Sequence, residues 1–246
     1  MNIPTVFAAS LVALCFTMSP EVRAETPPSV SPIPDQIWSF MQGTSWHRDL
    51  PCPKRDDLRL VEVPYRDFTG AEKSGYLIID KALADEVHSI FAEIHQAGTY
   101  RIETLKLIDA YGGNDFKSIE ANNTSAFNCR FTTGAKTMSA HARGRAIDIN
   151  PLINPYVDKS GTSHKKSLGF VTKQQRSKSS VHGMILPDGI VVKTFKKYGW
   201  KWGGDWKSIQ DEPHFELRPA WARDMSEGAM LAELRNRRAA NREVFA

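Results

Sequence analysis

The residues of this chain with the clearest chemical potential lie in two short segments, SAHARGRAID (residues 139–148) and DEPHFE (residues 211–216). The first segment places His141 seven positions before Asp148, and the second contains His214. Two imidazoles and one carboxylate are a suitable ligand set for catalytic zinc, because three protein ligands leave a fourth position for water. Taken alone, the two segments fit a structural hydrogen-bonded His/Asp pair better than a metal site, and both interpretations stay open.

The strand pattern around these residues predicts that their side chains point towards a common site. In RAIDINP, alternation puts Ala146, Asp148 and Asn150 on one face and leaves the intervening isoleucines for the core. In HFEL, the same period puts His214 and Glu216 together and turns the apolar residues inward. An aspartate in the middle of such a strand is costly to bury unless it is paired or bound to a cation. Each segment therefore offers a metal ligand on a rigid strand.

A turn and a second carboxylate complete the expected site. The sequence HARG returns His141 towards the site, because Gly144 eases a tight backbone path. A carboxylate outside the ligand set is also needed, since hydrolysis at such a metal requires a group that takes the proton of the attacking water. Asp211 lies three residues before His214, and Glu212 lies two residues before it. Spacing alone leaves both carboxylates open for this role.

The surrounding elements are predicted to form an α+β fold. Composition and alternation predict two strands in LRLVEVPYRDF and SGYLIID, joined by the turn-like TGAEK. A helix is predicted over residues 81–98, where apolar residues recur at helical spacing and Gly98 marks the end. Short strands mixed with helices, without regular strand–helix alternation, favour a small antiparallel sheet flanked by helices. The metal site is expected on the face of that sheet.

The first residues of the chain indicate export. Residues 6–18 are apolar but too short to span a bilayer comfortably, and Val22 and Ala24 form a small-residue cleavage pattern. We therefore predict a signal peptide over residues 1–24, with an uncleaved membrane anchor as the alternative. Cleavage would leave a periplasmic or extracellular protein without stable membrane insertion.

The remaining boundaries follow from composition. Residues 25–50 begin with a Pro- and Ser-rich stretch and are predicted to form an extended linker. The main zinc-site domain is predicted at residues 51–219. Within that domain, residues 158–182 are polar and basic and are predicted to be an exposed insertion. Its charges either keep it solvated or help the protein to stay on an anionic polymer. Residues 220–246 are rich in Arg, Ala and Glu and are predicted to form a helical tail.

Charge and cysteine content narrow the range of partners. The formal net charge of +4 is mild and favours acidic partners such as nucleic acid, anionic lipid or an anionic cell wall. Export argues against nucleic acid as a partner. Cys52 and Cys129 would then lie in an oxidising compartment, where they either form a disulfide or remain two separate buried thiols. A bridge would close a long loop and stabilise the fold by about 4 kcal/mol.

Several spaced motifs resemble those of peptidase family M15, the zinc D-Ala-D-Ala carboxypeptidases and L-Ala-D-Glu endopeptidases. SAHARGRAID fits the family pattern Ser-x-His-x-x-Gly-x-Ala-x-Asp, and WGGDWKSIQDEPHFE resembles the second family motif. NTSAFNCR and INPLINPY are similar to segments of the VanY-like and endolysin-like branch. The similarity extends from about residue 100 to residue 218 and is interrupted by the basic insertion.

The resemblance implies roles for the residues that match the motifs. It implies one Zn2+ ion bound by His141, Asp148 and His214. It implies Asp211 as the general base, where some relatives have glutamate. Arg130 is similar to an arginine that steadies the substrate carbonyl or the developing oxyanion, with a surface or structural arginine as the alternative.

Further residues are expected to support the site. Ser139 and Glu216 resemble groups that orient metal ligands through hydrogen bonds. Trp200, Trp202 and Trp206 either contact substrate or belong to the core and wall of the domain.

Together these features predict an exported zinc peptidase that hydrolyses peptide bonds in the stem peptides of peptidoglycan. An L-Ala-D-Glu endopeptidase is the first expectation, because an aspartate base in a compact domain resembles those enzymes. A D-Ala-D-Ala carboxypeptidase is the alternative, which the NPY-containing middle of the chain also fits. A non-catalytic, zinc-containing module that binds the cell wall is the alternative from another class. Acids at both positions 211 and 212 favour an enzyme.

Overall fold

A computed structural model of the chain describes residues 29–132, 134–178 and 181–217, together with positions 229, 230, 232, 233 and 236. The predicted signal peptide at residues 1–24 lies outside this described part. Among the described residues, no helix is both long enough and apolar enough to cross a membrane.

The elements of the described chain are short, apart from one hairpin and one helix. The α-helices are α1 (Asp35–Met41), α2 (Ala84–Ala97), α3 (Asp115–Glu120), α4 (Lys173–Lys178) and α5 (Ile190–Lys197). The strands are β1 (Val30–Ser31), β2 (Leu58–Arg66), β3 (Glu72–Asp80), β4 (Thr104–Leu105), β5 (Asn123–Thr124), β6 (Ala146–Asp148), β7 (Tyr156–Val157), β8 (Lys201–Trp202), β9 (Gln210–Asp211) and β10 (His214–Glu216). Turns of 3-10 helix lie at Arg55–Asp57, Ile108–Tyr111, His141–Arg143, Lys165–Phe170 and Gly203–Asp205.

The strands form small sheets among the helices, which confirms the predicted α+β class. One sheet has the order β1-β2-β3 and another has the order β6-β10-β8, and neighbouring strands in both are antiparallel. Strands β7 and β9 form a further antiparallel pair, whereas β4 and β5 pair in parallel. The candidate metal ligands lie at the sheet β6-β10-β8, two of them on its strands.

The largest regular unit is the hairpin β2–β3 with helix α2 packed against it. The two strands have nine residues each and pair along their whole length, from Leu58 opposite Asp80 onwards. Helix α2 turns its apolar face towards the hairpin, and Val87, Ile90 and Phe91 are almost fully buried there. Because burial of large apolar side chains is the main stabilising contribution, this unit is the scaffold of the domain.

Residues 29–50 do not form the predicted extended linker. They contain strand β1 and helix α1, and Ile33 and Met41 are fully buried in a second apolar cluster. The Pro- and Ser-rich composition is confined to the beginning of the segment. Ile37, Trp38 and Met41 recur at helical spacing and pack into that cluster, so burial offsets the entropy cost of ordering the segment.

A disulfide joins Cys52 to Cys129. The S–S distance is 1.98 Å, the Cα–Cα distance is 5.8 Å, and the two residues are 77 positions apart in the chain. Cys129 is completely buried in the same apolar cluster as Ile33 and Met41. The bond therefore links the N-terminal segment to the loop that precedes the predicted metal site.

The basic insertion at residues 158–182 is less exposed than its composition predicts. It contains helix α4, whose Arg176 is buried. The Arg176 guanidinium donates to the carbonyl oxygens of Ile153 at 3.2 Å and Ile185 at 2.6 Å, and to the Asn154 side chain at 3.1 Å. A guanidinium has five N–H donors, so one buried arginine can satisfy several loop acceptors that lack strand partners. Part of the insertion is thus a structural anchor.

The larger apolar core joins the scaffold to the sheet β6-β10-β8, which is called the site sheet below. It includes residues of β2, β3, α2 and α5 together with Ile147 of β6 and Phe215 of β10. In the predicted helical tail at residues 220–246, the described positions 229, 230, 232, 233 and 236 are helical. Met230 of this tail is buried against the same core.

Candidate metal centre and active site

His141 is positioned by a single turn of 3-10 helix. Ser139 stabilises the start of this turn, because its Oγ accepts a hydrogen bond from the His141 N–H at 3.2 Å. Gly144 ends the turn with a φ of 67°. A Cβ at Gly144 would lie 2.6 Å from the backbone nitrogen of Asp80, so both the backbone angle and the close approach require glycine. The turn that presents His141 is therefore seated directly on the end of strand β3.

Asp148 and His214 lie opposite each other on neighbouring strands. In the antiparallel pair β6–β10, His214 pairs with Asp148, and Phe215 pairs with Ile147. Directly opposite residues project to the same face of a sheet, which brings the carboxylate and the imidazole together. Phe215 and Ile147 project to the other face and are fully buried. Core packing of these two apolar residues thus sets the direction of the two polar ones.

His141, Asp148 and His214 form one cluster. Nε2 of His141 lies 3.3 Å from Oδ2 of Asp148, and Nδ1 of His214 lies 3.0 Å from Oδ1. The two ring nitrogens are 3.2 Å apart. Donors about 2.0–2.1 Å from a tetrahedral zinc ion are about 3.3 Å from one another, which these separations match. In the described part of the chain, no other group of His, Cys, Asp or Glu residues could hold a metal in this way.

Each histidine has its second ring nitrogen engaged by an acceptor. Nδ1 of His141 donates to the carbonyl oxygen of Ala126 at 2.6 Å, which leaves the Nε2 lone pair free for the ion. Nε2 of His214 lies 3.5 Å from Oε2 of Glu216, which leaves the Nδ1 lone pair free for the ion. Metal-binding histidines make such outer hydrogen bonds because these fix the tautomer and the orientation of the ring. The donor chemistry of the cluster therefore fits zinc.

The charges around the cluster favour a cation. Burial of His214 opposes its protonation, but Asp148 and Glu216 outweigh burial and raise the pKa of His214 to about 10. Burial also opposes ionisation of Asp148, yet the two histidines lower the pKa of Asp148 well below its ordinary value. The hydrogen bond to His214 lowers the pKa of Glu216 as well. A divalent ion would satisfy the same demand for positive charge while the imidazoles remain neutral.

Asp211 and Glu212 have different surroundings, which distinguishes the two candidates for the general base. Burial raises the pKa of Asp211 to about 6, and the charges of the three candidate ligands act on it. Glu212 lies instead against helix α4, where its Oε2 is 3.3 Å from Nη2 of the buried Arg176. The Asp211 carboxylate is therefore the one beside the metal cluster, and Glu212 anchors the insertion.

The Trp-Gly-Gly turn brings Asp211 to this position. A Cβ at Gly203 would lie 2.4 Å from the Asp211 carbonyl oxygen and 2.8 Å from its Cβ. Any side chain at Gly203 would therefore displace strand β9. Across the β7–β9 pair, Tyr156 lies directly opposite Asp211 and is 43% exposed. Sequence reasoning did not single out Tyr156, because only the strand pairing places it beside the candidate base.

The three tryptophans near the second motif have separate roles. Trp200 is buried in the core and donates from Nε1 to Glu86 at 2.8 Å, so it is not placed to contact substrate. Trp202 is also buried and donates to the Glu212 carbonyl oxygen at 2.9 Å. Trp206 is partly exposed, and its ring centroid lies 5.5 Å from that of His214. Trp206 is thus the one tryptophan of the three that forms a wall beside the cluster.

Arg130 is attached to the His141 turn through its backbone. Its carbonyl oxygen accepts a hydrogen bond from the Ser139 N–H at 3.0 Å. Its partly exposed guanidinium forms an ion pair with Asp115 and donates to the Phe131 carbonyl oxygen at 3.1 Å. A contact between this guanidinium and substrate therefore stays a prediction.

Asn150 does not join the site face as strand alternation predicts. Its φ of 46° ends the extended backbone of β6 and redirects the side chain. The Asn150 amide donates to the carbonyl oxygens of Arg101 at 2.8 Å and Gly183 at 3.1 Å. Asn154 makes a similar contact, because its Oδ1 accepts from the Ile185 N–H at 2.8 Å. These buried amides replace strand hydrogen bonds in the loop after β6 and hold that loop in place.

The geometry is that expected of a metal-dependent hydrolase, with a His–Asp–His cluster and the half-buried carboxylate of Asp211 beside it. Residues 133–217 match the family model described as D-alanyl-D-alanine carboxypeptidase, of peptidase family M15. The matched segment contains the three candidate ligands and Asp211, and it begins after Arg130. This part of the chain is therefore similar to the zinc-dependent peptidases of family M15, and the match supports a peptidase that acts on cell-wall peptides. No solved structure significantly matches the chain.

Proposed function

We propose that the protein is an exported zinc peptidase that hydrolyses an amide bond in the stem peptides of peptidoglycan. The observation that best supports this proposal is the cluster of His141, Asp148 and His214 with the Asp211 carboxylate beside it. When bound in such a site, zinc polarises the scissile carbonyl and makes water a better nucleophile. Metal analysis of the purified protein is expected to find one zinc ion per chain, and a metal-free active protein would contradict the proposal.

Asp211 is the proposed general base. It accepts the proton of the attacking water and then passes that proton to the nitrogen of the leaving amine. Burial raises its pKa to about 6, so a proton on this carboxylate is held more firmly than on an exposed aspartate. The positive charge of a bound ion lowers this pKa, which keeps Asp211 ionised near neutral pH and ready to accept a proton.

The residues around the ligands are proposed to orient them and to stabilise the developing charge. Ser139 holds the turn of His141, and Glu216 aligns the ring of His214. Arg130 is the proposed partner of the negative charge on the carbonyl oxygen, for which its guanidinium would turn from Asp115 towards the substrate. Trp206 limits the access of bulk water on the His214 side.

The bond that we propose is the L-Ala-D-Glu bond. Asp211 rather than Glu212 adjoins the metal cluster, and an aspartate base resembles the endopeptidases of the family. A D-Ala-D-Ala carboxypeptidase is the second candidate, which the match to the D-alanyl-D-alanine carboxypeptidase family model favours.

Digestion of purified sacculi, followed by mass analysis of the soluble products, distinguishes these activities. An endopeptidase releases stem fragments that begin at D-Glu, whereas a carboxypeptidase releases single alanine residues. Release of alanine alone would contradict the endopeptidase proposal. If sacculi bind the protein without any hydrolysis, the non-catalytic wall-binding module becomes the better explanation.

The export proposal is supported by the disulfide and by the substrate. The Cys52–Cys129 bond is typical of proteins outside the reducing cytosol, and peptidoglycan also lies outside it. Expression of the full chain, followed by N-terminal sequencing of the exported form, is expected to find a mature start at Glu25. Retention of residues 1–24 in the mature protein would support the membrane-anchor alternative.

A further inference from the structure

We propose that a cleft next to the metal centre binds a carboxylate of the substrate peptide through Lys173 and Lys207. This inference rests on the proposed function and adds the residues that recognise the substrate away from the cleaved bond. The cleft has a volume of about 650 Å³ and lies between helix α4 and the segment Gly204–Glu212. Cavities of this size are typical of sites that bind small organic molecules or short peptides.

The cleft adjoins the metal centre along one shared wall. Trp206 lines the cleft, and its ring also lies 5.5 Å from the ring of His214. Gln210 and Glu212 line the cleft as well, whereas Asp211 between them lies beside the metal cluster. A peptide bound at the centre can therefore extend past Trp206 into the cleft. The part of the peptide in the cleft is then remote from the bond that is cut.

The acidic groups of the cleft are already neutralised. Glu212 is paired with the buried Arg176 at 3.3 Å. Asp205 is paired with Lys196, which lies outside the cleft, at 2.7 Å. Glu212 also interacts electrostatically with Lys173, although no ion pair within 4 Å joins the two side chains.

Two exposed lysines line the cleft in addition to Arg176. Lys173 lies at the start of α4, and Lys207 follows Trp206 in the chain. Within the described residues, neither lysine forms an ion pair with a carboxylate within 4 Å. The cations Lys173, Arg176 and Lys207 outnumber the acids Asp205 and Glu212 in the lining, so the cleft has an excess of positive charge, which favours an anionic ligand.

The apolar lining of the cleft favours a peptide over a free small anion. Leu186, Pro187 and Trp206 add apolar surface to the lining of the cleft, and Leu186 is 45% exposed. A ligand that buries this surface must have apolar or backbone atoms next to its negative charge. A carboxylate-bearing residue of the stem peptide has both, and it belongs to the same molecule that reaches the metal centre.

The test compares stem peptides that differ in a single group. Each internal carboxylate of a synthetic stem peptide is replaced in turn by a carboxamide, and kcat and KM for hydrolysis are measured. For the unchanged protein, one replacement is expected to lower kcat/KM by about 2- to 5-fold, mainly through KM, because one ion-pair interaction of a partly exposed site is lost. Lys173→Gln and Lys207→Gln are expected to lower kcat/KM for the carboxylate peptide only, so that the preference for the acid disappears.

Lys193→Gln is the matched control. Lys193 is also an exposed lysine on a helix, but it lies on α5 and does not line the cleft. This variant is expected to keep the preference of the unchanged protein. An equal loss on acid and amide peptides in the two cleft variants would indicate a structural effect and would overturn the inference.

Other outcomes separate the inference from the proposed function. If the protein cleaves acid and amide peptides equally well, the cleft inference is wrong while the peptidase proposal stands. If it cleaves no stem peptide and releases nothing from sacculi, the proposed function itself is wrong. Inhibition by inorganic phosphate that Lys173→Gln and Lys207→Gln abolish, without any acid preference, would assign the cleft to a phosphate polymer of the wall and overturn the peptide carboxylate.

Discussion

The scaffold hairpin β2–β3 and the site sheet β6-β10-β8 are stabilised by different interactions. Strands β2 and β3 have nine residues each, whereas β6 and β10 have three and β8 has two. Continuous ladder hydrogen bonds and the apolar face of α2 stabilise the hairpin. The site sheet has few ladder bonds, so side-chain caps, buried amides and a buried arginine hold its loops. The metal centre therefore depends on single contacts, whereas the scaffold does not.

The two regions meet at the end of strand β3. The Asp80 N–H donates to the Gly144 carbonyl oxygen at 2.9 Å, and the Asp80 carboxylate accepts two hydrogen bonds from the Arg145 guanidinium at 2.8 and 3.0 Å. Both side chains of this ion pair are nearly buried. The regular hairpin thus supplies a fixed base for the irregular turn that presents His141. Rigid support of this kind is what a preorganised centre needs.

The largest expected effect is loss of the metal from a protein that remains folded. Asp148→Asn removes the carboxylate ligand while it keeps the size of the side chain, and activity is expected to fall by at least about 100-fold. Metal content, sacculus hydrolysis and circular dichroism of the same preparation check this expectation. Asp85→Asn, at an exposed position of scaffold helix α2, is the matched variant and is expected to retain metal. Stoichiometric zinc in Asp148→Asn would show that Asp148 is not a ligand.

The next effect separates the two adjacent acids. Asp211→Asn is expected to retain zinc and to lower kcat by about 100- to 10,000-fold, because the general base is removed. Glu212→Gln is expected to retain most of the activity and to lower the free energy of unfolding by about 3 kcal/mol, because the buried Arg176 loses its partner. Zinc content, kinetics and urea unfolding of both variants provide the test. The reverse pattern would make Glu212 the base.

Activity is expected to depend on pH through Asp211. A general base acts when it is deprotonated, so kcat/KM should fall as the pH is lowered through the pKa of Asp211. Burial raises that pKa to about 6 and a bound cation lowers it, which places the acidic limb of the profile at or below about pH 6. The limb should be absent from the residual activity of Asp211→Asn. An unchanged limb in that variant would assign it to another group.

A smaller effect concerns the covalent link between the N-terminal segment and the site. The double variant Cys52→Ser/Cys129→Ser is expected to lose about 4 kcal/mol of unfolding free energy, because the bond constrains a long loop in the unfolded chain. Activity at low temperature should remain, since neither cysteine touches the metal cluster. Thermal unfolding and sacculus hydrolysis test the two statements. An unchanged unfolding midpoint would contradict the stabilising role.

The smallest expected effect is at Tyr156. Tyr156→Phe removes a hydroxyl group on the strand opposite Asp211, and kcat/KM is expected to fall by about fivefold, the value of one hydrogen bond. Tyr76→Phe is the matched control, since Tyr76 is equally exposed at 43% but lies on the scaffold strand β3. Equal activities of the two variants would remove Tyr156 from the site.

Local patterns in the chain were sufficient to predict the scaffold and the positions that form the metal cluster. Periodic patterns of apolar residues mark the hairpin, helix α2 and the segments RAIDINP and HFEL. Each period predicts which residues share a face. The family motifs added the ligand set, and the match over residues 133–217 agrees with them. A period of two also predicted that Asp148 and His214 project away from the buried Ile147 and Phe215.

Contacts between distant segments determined the rest. Asp211 and Glu212 are neighbours in the chain, and they differ because Arg176 of the insertion reaches Glu212 whereas the charges of the metal cluster act on Asp211. The order of residues 29–50 depends on an apolar cluster whose other members lie far along the chain. Asn150 left the predicted face because a positive φ ended its strand. The spacing of residue types in the sequence predicts which face of a strand or helix a side chain occupies. Tertiary packing decides which residue it contacts there, and that contact determines its charge state, its exposure and its role.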